Sequence, residues 1–205
     1  MALIKKRELN SGKNVNRLYE RDWDGLIKQL EDDDPVERRW AVRDLVKFPE
    51  SVGPLCELLK REGDHLVQDL ALDTLMQIGG SEAVSAMVPL LRSDDARLRN
   101  GVIEALQGMP EDVALVMNDL LTDEDSDVRI FAADILRILP HKNTVKWLCD
   151  ALEKEEHPNV VGAIVDRLSE VGDEGCVPVL KSSIEKFQDN QYLSFAINTA
   201  IKMSS

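Results

Sequence analysis

The feature that most constrains the fold of this sequence is a motif that recurs every 30 to 32 residues. It occupies residues 37–45, 67–75, 98–106, 128–136, 160–168 and 192–200. The centre of each copy is a small or aliphatic residue: Ala41, Ala71, Val102, Ala132, Ile164 and Ala196. A repeat of this length is typical of solenoids, in which each copy is one supersecondary unit that packs against its neighbours.

Each copy of the motif has the apolar spacing of an amphipathic helix. Around Ala71, for example, Val67 and Leu75 stand four residues before and four residues after the centre. Residues at this spacing share one face of a helix, so we expect that face to be buried. A second apolar-periodic segment precedes each copy, and the sequence therefore predicts two helices per repeat.

Aspartate marks the turn before five of these six helices. Seven residues before the six centres stand Asp34, Asp64, Asp95, Asp125, His157 and Asp189. Aspartate accepts hydrogen bonds from free N–H groups at a helix N-terminus, so these positions predict helix caps. Arg38, Arg99 and Arg129 follow four residues after an aspartate, which predicts a bridge from turn to helix.

The repeat resembles a known family. The segment from Asp125 to Leu136 carries an Asp-x-x-Val-Arg-x-x-Ala frame that resembles the HEAT repeat, in the short form found in phycobilisome-lyase HEAT-like proteins. The resemblance extends over roughly residues 24–203 and implies a right-handed all-α solenoid of about six helix pairs. It also implies that the second helices line a concave surface.

Charge divides the chain into two parts. Residues 1–22 carry six basic side chains and three acidic ones, whereas the whole chain has a net charge of −13. We therefore predict a basic N-terminal arm or cap in residues 1–22 and the solenoid in residues 23–205. A strongly acidic protein repels phosphates, so a nucleic-acid partner is not expected.

Sequence motifs for catalysis or for metal binding are not found. The three histidines lie far apart, no His-Glu pair of the kind used by iron-binding HEAT-repeat hydroxylases occurs, and there is no Gly-x-Ser-x-Gly or Gly-rich phosphate loop. We expect no cofactor and no catalytic residue. Cys56, Cys149 and Cys176 lack metal-ligand spacing and are predicted to be reduced thiols that pack in the core.

An acidic column is the remaining candidate site. Two residues after the motif centres, at a position that should point away from the core, stand Arg43, Asp73, Glu104, Asp134, Asp166 and Asn198. We predict that Asp73, Glu104, Asp134 and Asp166 form a partner-binding stripe, and we call these four residues the acidic column. The alternative is an ordinary solvated face.

These observations predict a cytoplasmic adaptor, assembly factor or regulator of bacterial type. It would present an acidic concave groove to a basic segment of another protein, and it would be neither an enzyme nor bound to a membrane. No run of about 18 apolar residues that could span a bilayer occurs. The alternative that the resemblance implies is an accessory factor for attaching or removing a tetrapyrrole (bilin) on another protein.

Overall fold

Residues 19–139 and 141–204, which the computed structural model describes, form six stacked pairs of α-helices. The pairs are α1 (Trp23–Gln29) with α2 (Pro35–Leu45), α3 (Val52–Arg61) with α4 (His65–Ile78), α5 (Gly80–Met87) with α6 (Ala96–Gln107), α7 (Pro110–Val113) and α8 (Met117–Leu121) with α9 (Ser126–Ile135), α10 (Thr144–Lys154) with α11 (Pro158–Val171), and α12 (Val177–Lys186) with α13 (Gln191–Met203). In this part of the chain the structure has no β-strand. The predicted all-α solenoid is confirmed.

The helices are arranged in two layers. The second helices of successive pairs contact one another in the order α2, α4, α6, α9, α11 and α13, and we call them the second-helix layer. The first helices form the other layer, in which α3 contacts α5 and α10 contacts both α8 and α12. Because contacts run between adjacent pairs, the core extends continuously along the molecule.

The core contains the residues that the repeat predicted. Ala41, Ala71, Val102, Ala132 and Ile164 are fully buried, and so are most of the leucines four residues after them. Small side chains at three of these centres allow neighbouring helices to approach closely. The apolar period alone was therefore sufficient to locate the buried face of the first five second helices.

The predicted aspartate caps are confirmed in four repeats. The side chains of Asp34, Asp64, Asp95 and Asp125 each accept a hydrogen bond from a backbone N–H in the first turn of the following helix. The backbone N–H of the cap residue is in turn bound by a side chain two positions earlier. Side-chain oxygens of Asp32, Glu62, Ser93, Asp123 and Glu155 accept the N–H of the residue two positions later.

The arginines four residues after the caps bridge turn to helix through backbone carbonyl oxygens of the turn, and Arg38 and Arg129 also bind the next repeat. Arg38 donates to the carbonyl oxygens of Asp32 and Asp33, and also makes two hydrogen bonds, of 2.7 and 2.6 Å, to Glu62 of the next repeat. Arg129 binds Glu155 of the following repeat in the same way, at 2.8 and 3.0 Å. These side chains join one turn to the next turn, because the cap carboxylate is already occupied by backbone N–H groups.

Two of the first helices are interrupted. The first helix of the third pair ends as an α-helix at Met87 and continues around Pro89 as a 3₁₀ segment, Val88–Arg92, since proline cannot donate the backbone hydrogen bond of a regular helix. The first helix of the fourth pair is divided into α7 and α8. In residues 19–139 and 141–204, no helix has both the length and the apolar character needed to cross a membrane.

The last repeat is shifted by one residue from the predicted frame. The cap of α13 is Asn190, whose side chain accepts the N–H of Leu193, and not Asp189. Leu193 and Ile197 are consequently buried, whereas Ala196 is half-buried and Tyr192 is exposed. In the corrected frame Thr199 takes the outward position that we predicted for Asn198, and both side chains are exposed.

Candidate protein-interaction surface

The four residues of the acidic column lie on four consecutive helices of the second-helix layer. Asp73 is on α4, Glu104 on α6, Asp134 on α9 and Asp166 on α11. Three of these residues are exposed, and Asp134 is half-buried. Neighbouring helices pack with their axes about 8–10 Å apart, so the column places one carboxylate at roughly that interval across the layer.

The four carboxylates differ in their bonding. Among the described residues, the side chains of Asp73, Glu104 and Asp134 have no hydrogen-bond or ion-pair partner. The carboxylate of Asp166, in contrast, accepts a hydrogen bond from the guanidinium of Arg167. At the N-terminal end of the column, Arg43 pairs with Asp44. The first three carboxylates of the acidic column are thus the ones whose charge is not compensated.

Asp73 and Glu104 are brought together at a shallow groove between α4 and α6. The groove has a volume of about 150 Å³ and is lined also by Asp69 and Gly101. Gly101 contributes to its shape, because a Cβ at this position would lie 2.6 Å from Cδ1 of Leu72. Asp69 is held by two hydrogen bonds of 2.8 Å from Arg97 of the next repeat, so two of the three carboxylates at this groove remain available.

A second groove lies on the same layer between α11 and α13, and sequence reasoning missed it. Its volume is about 370 Å³, and its lining includes Gly162, Asp166 and Tyr192. The repeat period predicts a buried position for Tyr192, four residues before Ala196, but the shifted frame exposes 74% of the residue. The only signal that could have identified it is the presence of a second good capping residue, Asn190, directly after Asp189.

The cysteines are consistent with packing and not with nucleophilic chemistry. Cys56 and Cys176 are buried and Cys149 is half-buried. Burial raises the pKa of the Cys56 thiol to about 11. Burial and contact with Cys176 raise the pKa of Cys149 to about 12. Because the thiolate is the reactive form and the thiols of Cys56 and Cys149 are almost fully protonated at neutral pH, these two side chains are poor nucleophiles.

The described residues contain no cluster of three or more His, Cys, Asp or Glu side chains that could hold a metal ion.

The basic residues predicted for the N-terminal arm, except Arg21, lie outside the described part of the chain. Arg21 donates to the backbone carbonyl of Trp40 at 3.1 Å and forms an ion pair with Asp44 on α2.

Comparison with known proteins identifies the repeat. A family profile described as HEAT repeats matches residues 23–107 and 113–196, which together make up most of the chain. Protein YibA of Escherichia coli strain K12 is 27% identical over 124 residues, or 59% of this chain and 43% of that protein. The chain therefore spans less than half the length of the curated relatives it matches.

Two solved structures are similar in outline. The archaeal HEAT-like repeats protein from Thermococcus onnurineus NA1 aligns with a TM-score of 0.46 at 15% identity, covering 87% of this chain and 85% of that chain. The complex of CpcE and CpcF of phycocyanin lyase from Nostoc sp. PCC7120 aligns with a TM-score of 0.36 at 13% identity, covering 100% of both chains.

Proposed function

The chain belongs to the HEAT-repeat family, and we propose that it is a protein-interaction module that binds a basic segment of another protein along the second-helix layer. Solenoids of this kind are scaffolds whose extended surface binds other proteins. The acidic column supplies the binding charge. The observation that carries the proposal is that three of its carboxylates, on Asp73, Glu104 and Asp134, have no bonding partner among the described residues.

The spacing of the column specifies the kind of segment that fits. The carboxylates recur at about 8–10 Å, which is the distance between packed helices. A peptide in the polyproline II conformation advances about 3.1 Å per residue with three residues per turn, so every third side chain points the same way at about 9.3 Å. The partner segment is therefore an extended one with a basic residue at every third position.

A synthetic peptide provides the test. The probe is an acetylated and amidated (Lys-Ser-Pro)₄ peptide, and its affinity for the full chain is measured by fluorescence anisotropy. In the test variant Asp73→Asn, Glu104→Gln and Asp134→Asn are combined. Exposed ion pairs are each worth about 0–1 kcal/mol, so the loss of three is expected to weaken binding on the order of tenfold.

A control variant distinguishes the effect of the acidic column on binding from the effect of the protein's net charge. Glu82, Glu153 and Glu185 are exposed residues of the first helices α5, α10 and α12, and their replacement by glutamine changes the net charge by the same amount. This control is expected to bind the peptide nearly as well as the unmodified chain. Equal weakening in both triple variants would show general attraction to an acidic protein and would refute the proposed surface.

Salt provides a second readout of the same contacts. The Debye length falls from ~10 Å at 0.1 M to ~3 Å at 1 M ionic strength. Binding to the unmodified chain should weaken across that range, and the column variant should respond less steeply.

The tetrapyrrole alternative remains a prediction. Two uncompensated carboxylates at the α4–α6 groove favour a cationic ligand over a largely apolar ring system.

A further inference from the structure

The groove between α11 and α13 differs in character from the rest of the second-helix layer. Its lining includes the small residues Gly162 and Ala163 together with Leu193, Pro158 and Asn159. Elsewhere in the layer the position of Gly162 carries a side chain such as Arg39 or Asp69. The absence of a side chain at Gly162 leaves an open, partly apolar depression of about 370 Å³.

Two groups at this depression are suited to a cation that has an aliphatic stem. Tyr192 lines it and is 74% exposed, so its ring is accessible. The carboxylate of Asp166 also lines it. Cations within about 6 Å of an aromatic ring face are attracted by it, and arginine makes this contact more often than lysine. The planar guanidinium can stack on the ring and hydrogen-bond a carboxylate at the same time.

The local charge is negative although Asp166 has an internal partner. Arg167 is buried, and it binds both Asp166 and Glu170, the latter at 2.9 Å. Asp166, Arg167 and Glu170 together carry one net negative charge, and of these Asp166 lines the groove. A carboxylate has about four lone-pair sites and can accept from a second guanidinium while it keeps its bond to Arg167.

We propose that the groove between α11 and α13 is a pocket for an arginine side chain of the bound basic segment, with Tyr192 stacking on the guanidinium, Asp166 accepting its N–H groups, and Gly162 and Ala163 supporting the aliphatic stem. The inference rests on the proposed function, because it places one anchoring residue at the end of the acidic column. An anchor at one end fixes the direction in which the segment binds, which an array of carboxylates alone does not do.

Two peptides of equal charge test the pocket. The affinities of (Arg-Ser-Pro)₄ and (Lys-Ser-Pro)₄ for the full chain are measured by fluorescence anisotropy. The unmodified chain should bind the arginine peptide roughly five- to tenfold more tightly, which is the size of one partly desolvated cation–π contact. Tyr192→Ala should reduce this ratio to about one while the affinity for the lysine peptide changes less than about twofold. Tyr192→Phe, which keeps the ring, should preserve the ratio.

A variant that fills the groove provides an independent test. A Cβ at Gly162 would lie 3.6 Å from Cδ2 of Leu193, an ordinary contact distance, so the backbone accepts a side chain there. Gly162→Leu should abolish the preference for arginine. Phe195→Ala is the matched control for Tyr192→Ala, because Phe195 lies on α13 with Tyr192 and is also 74% exposed but does not line the groove. Circular dichroism verifies the fold of each variant.

The possible outcomes separate the pocket from the proposed function. If the lysine peptide binds through the acidic column but the unmodified chain shows no preference for arginine, the pocket is refuted and the interaction surface remains. If the preference persists in Tyr192→Ala and Gly162→Leu, the arginine binds elsewhere. If sedimentation shows a dimer that Tyr192→Ala dissociates, a second copy of the chain occupies the groove. If neither peptide binds, both proposals fail.

Discussion

Glu62 and Glu155 occupy equivalent positions in the turns of the second and fifth helix pairs. Each binds an arginine of the preceding pair and so joins its turn to that pair. Their side chains are 2% and 7% exposed, and each binds an arginine through two hydrogen bonds. Burial by itself would raise the pKa of each glutamate. The hydrogen bonds from Arg38 or Arg129 and from backbone N–H groups outweigh that effect and lower the pKa below the ordinary value.

The lowered pKa of Glu62 predicts a pH-dependent loss on mutation. A group with a lower pKa in the folded state stabilises the fold above its unfolded pKa of about 4.3, and this contribution is lost as the pH falls through the folded value. Glu62→Gln should therefore lower the free energy of unfolding by about 1.5–3 kcal/mol at neutral pH, as expected for a hydrogen bond to a charged group. The loss should shrink as the pH approaches ~3.

Urea unfolding of the unmodified chain and the variant at both pH values measures this difference. Glu57→Gln is the control, because Glu57 pairs with Lys60 on the exposed side of α3 and such pairs contribute about 0–1 kcal/mol. A loss for Glu62→Gln of the same size at both pH values would mean that the shape of the side chain, and not its charge, joins the turns.

At the scale of the helix, the sequence was sufficient to locate the second helices because their period and their caps agree. In α4, Asp64 sets the start and Val67, Ala71 and Leu75 form the buried face. In α13 the two signals conflict. Asp189 fits the repeat interval, but Asn190 is an equally good cap, and packing of Leu193 and Ile197 into the core decides for Asn190.

The candidate site was less predictable than the helices. The period located the acidic column, since pointing outward follows from helical geometry. It could not identify which carboxylates are paired. Asp166 and Arg167 are adjacent in sequence, and adjacent residues on a helix are not expected to face each other. The groove at Gly162 depends on the packing of α13 against α11, which the misplaced frame of the last repeat concealed.

The helical phase can be tested with two substitutions on α4. Ala71 is fully buried between packed helices, so Ala71→Leu should overpack the core and cost roughly 1–3 kcal/mol of unfolding free energy. Asp73 is exposed two residues later and has no partner among the described residues, so Asp73→Asn should change stability by less than about 0.5 kcal/mol. Thermal and urea unfolding measure both. Similar effects of the two substitutions would contradict the assigned buried face.

At the scale of the whole molecule, the two ends of the described solenoid differ in how their terminal helices are covered. At the N-terminal end Arg21 contacts both helices of the first pair: it donates to the side chain of Gln29 on α1 at 2.7 Å and to the carbonyl of Trp40 on α2. At the other end α13 exposes Tyr192, Phe195 and Met203. Between the ends, contacts join neighbouring pairs, so stability is expected to be a sum of repeat and interface contributions.

This additivity predicts the result of removing the last helix pair. Deleting residues 173–205 removes α12 and α13 and uncovers the faces of α10 and α11 that they contact. The remaining five pairs keep their own interfaces, so the shortened chain should retain a helical circular dichroism spectrum. It should melt at a lower temperature than the full chain. Its denaturant m-value should also fall, because m scales with the surface exposed on unfolding. A shortened chain without helical signal would show that the six pairs fold only as one unit, and the nearest-neighbour description would then be wrong.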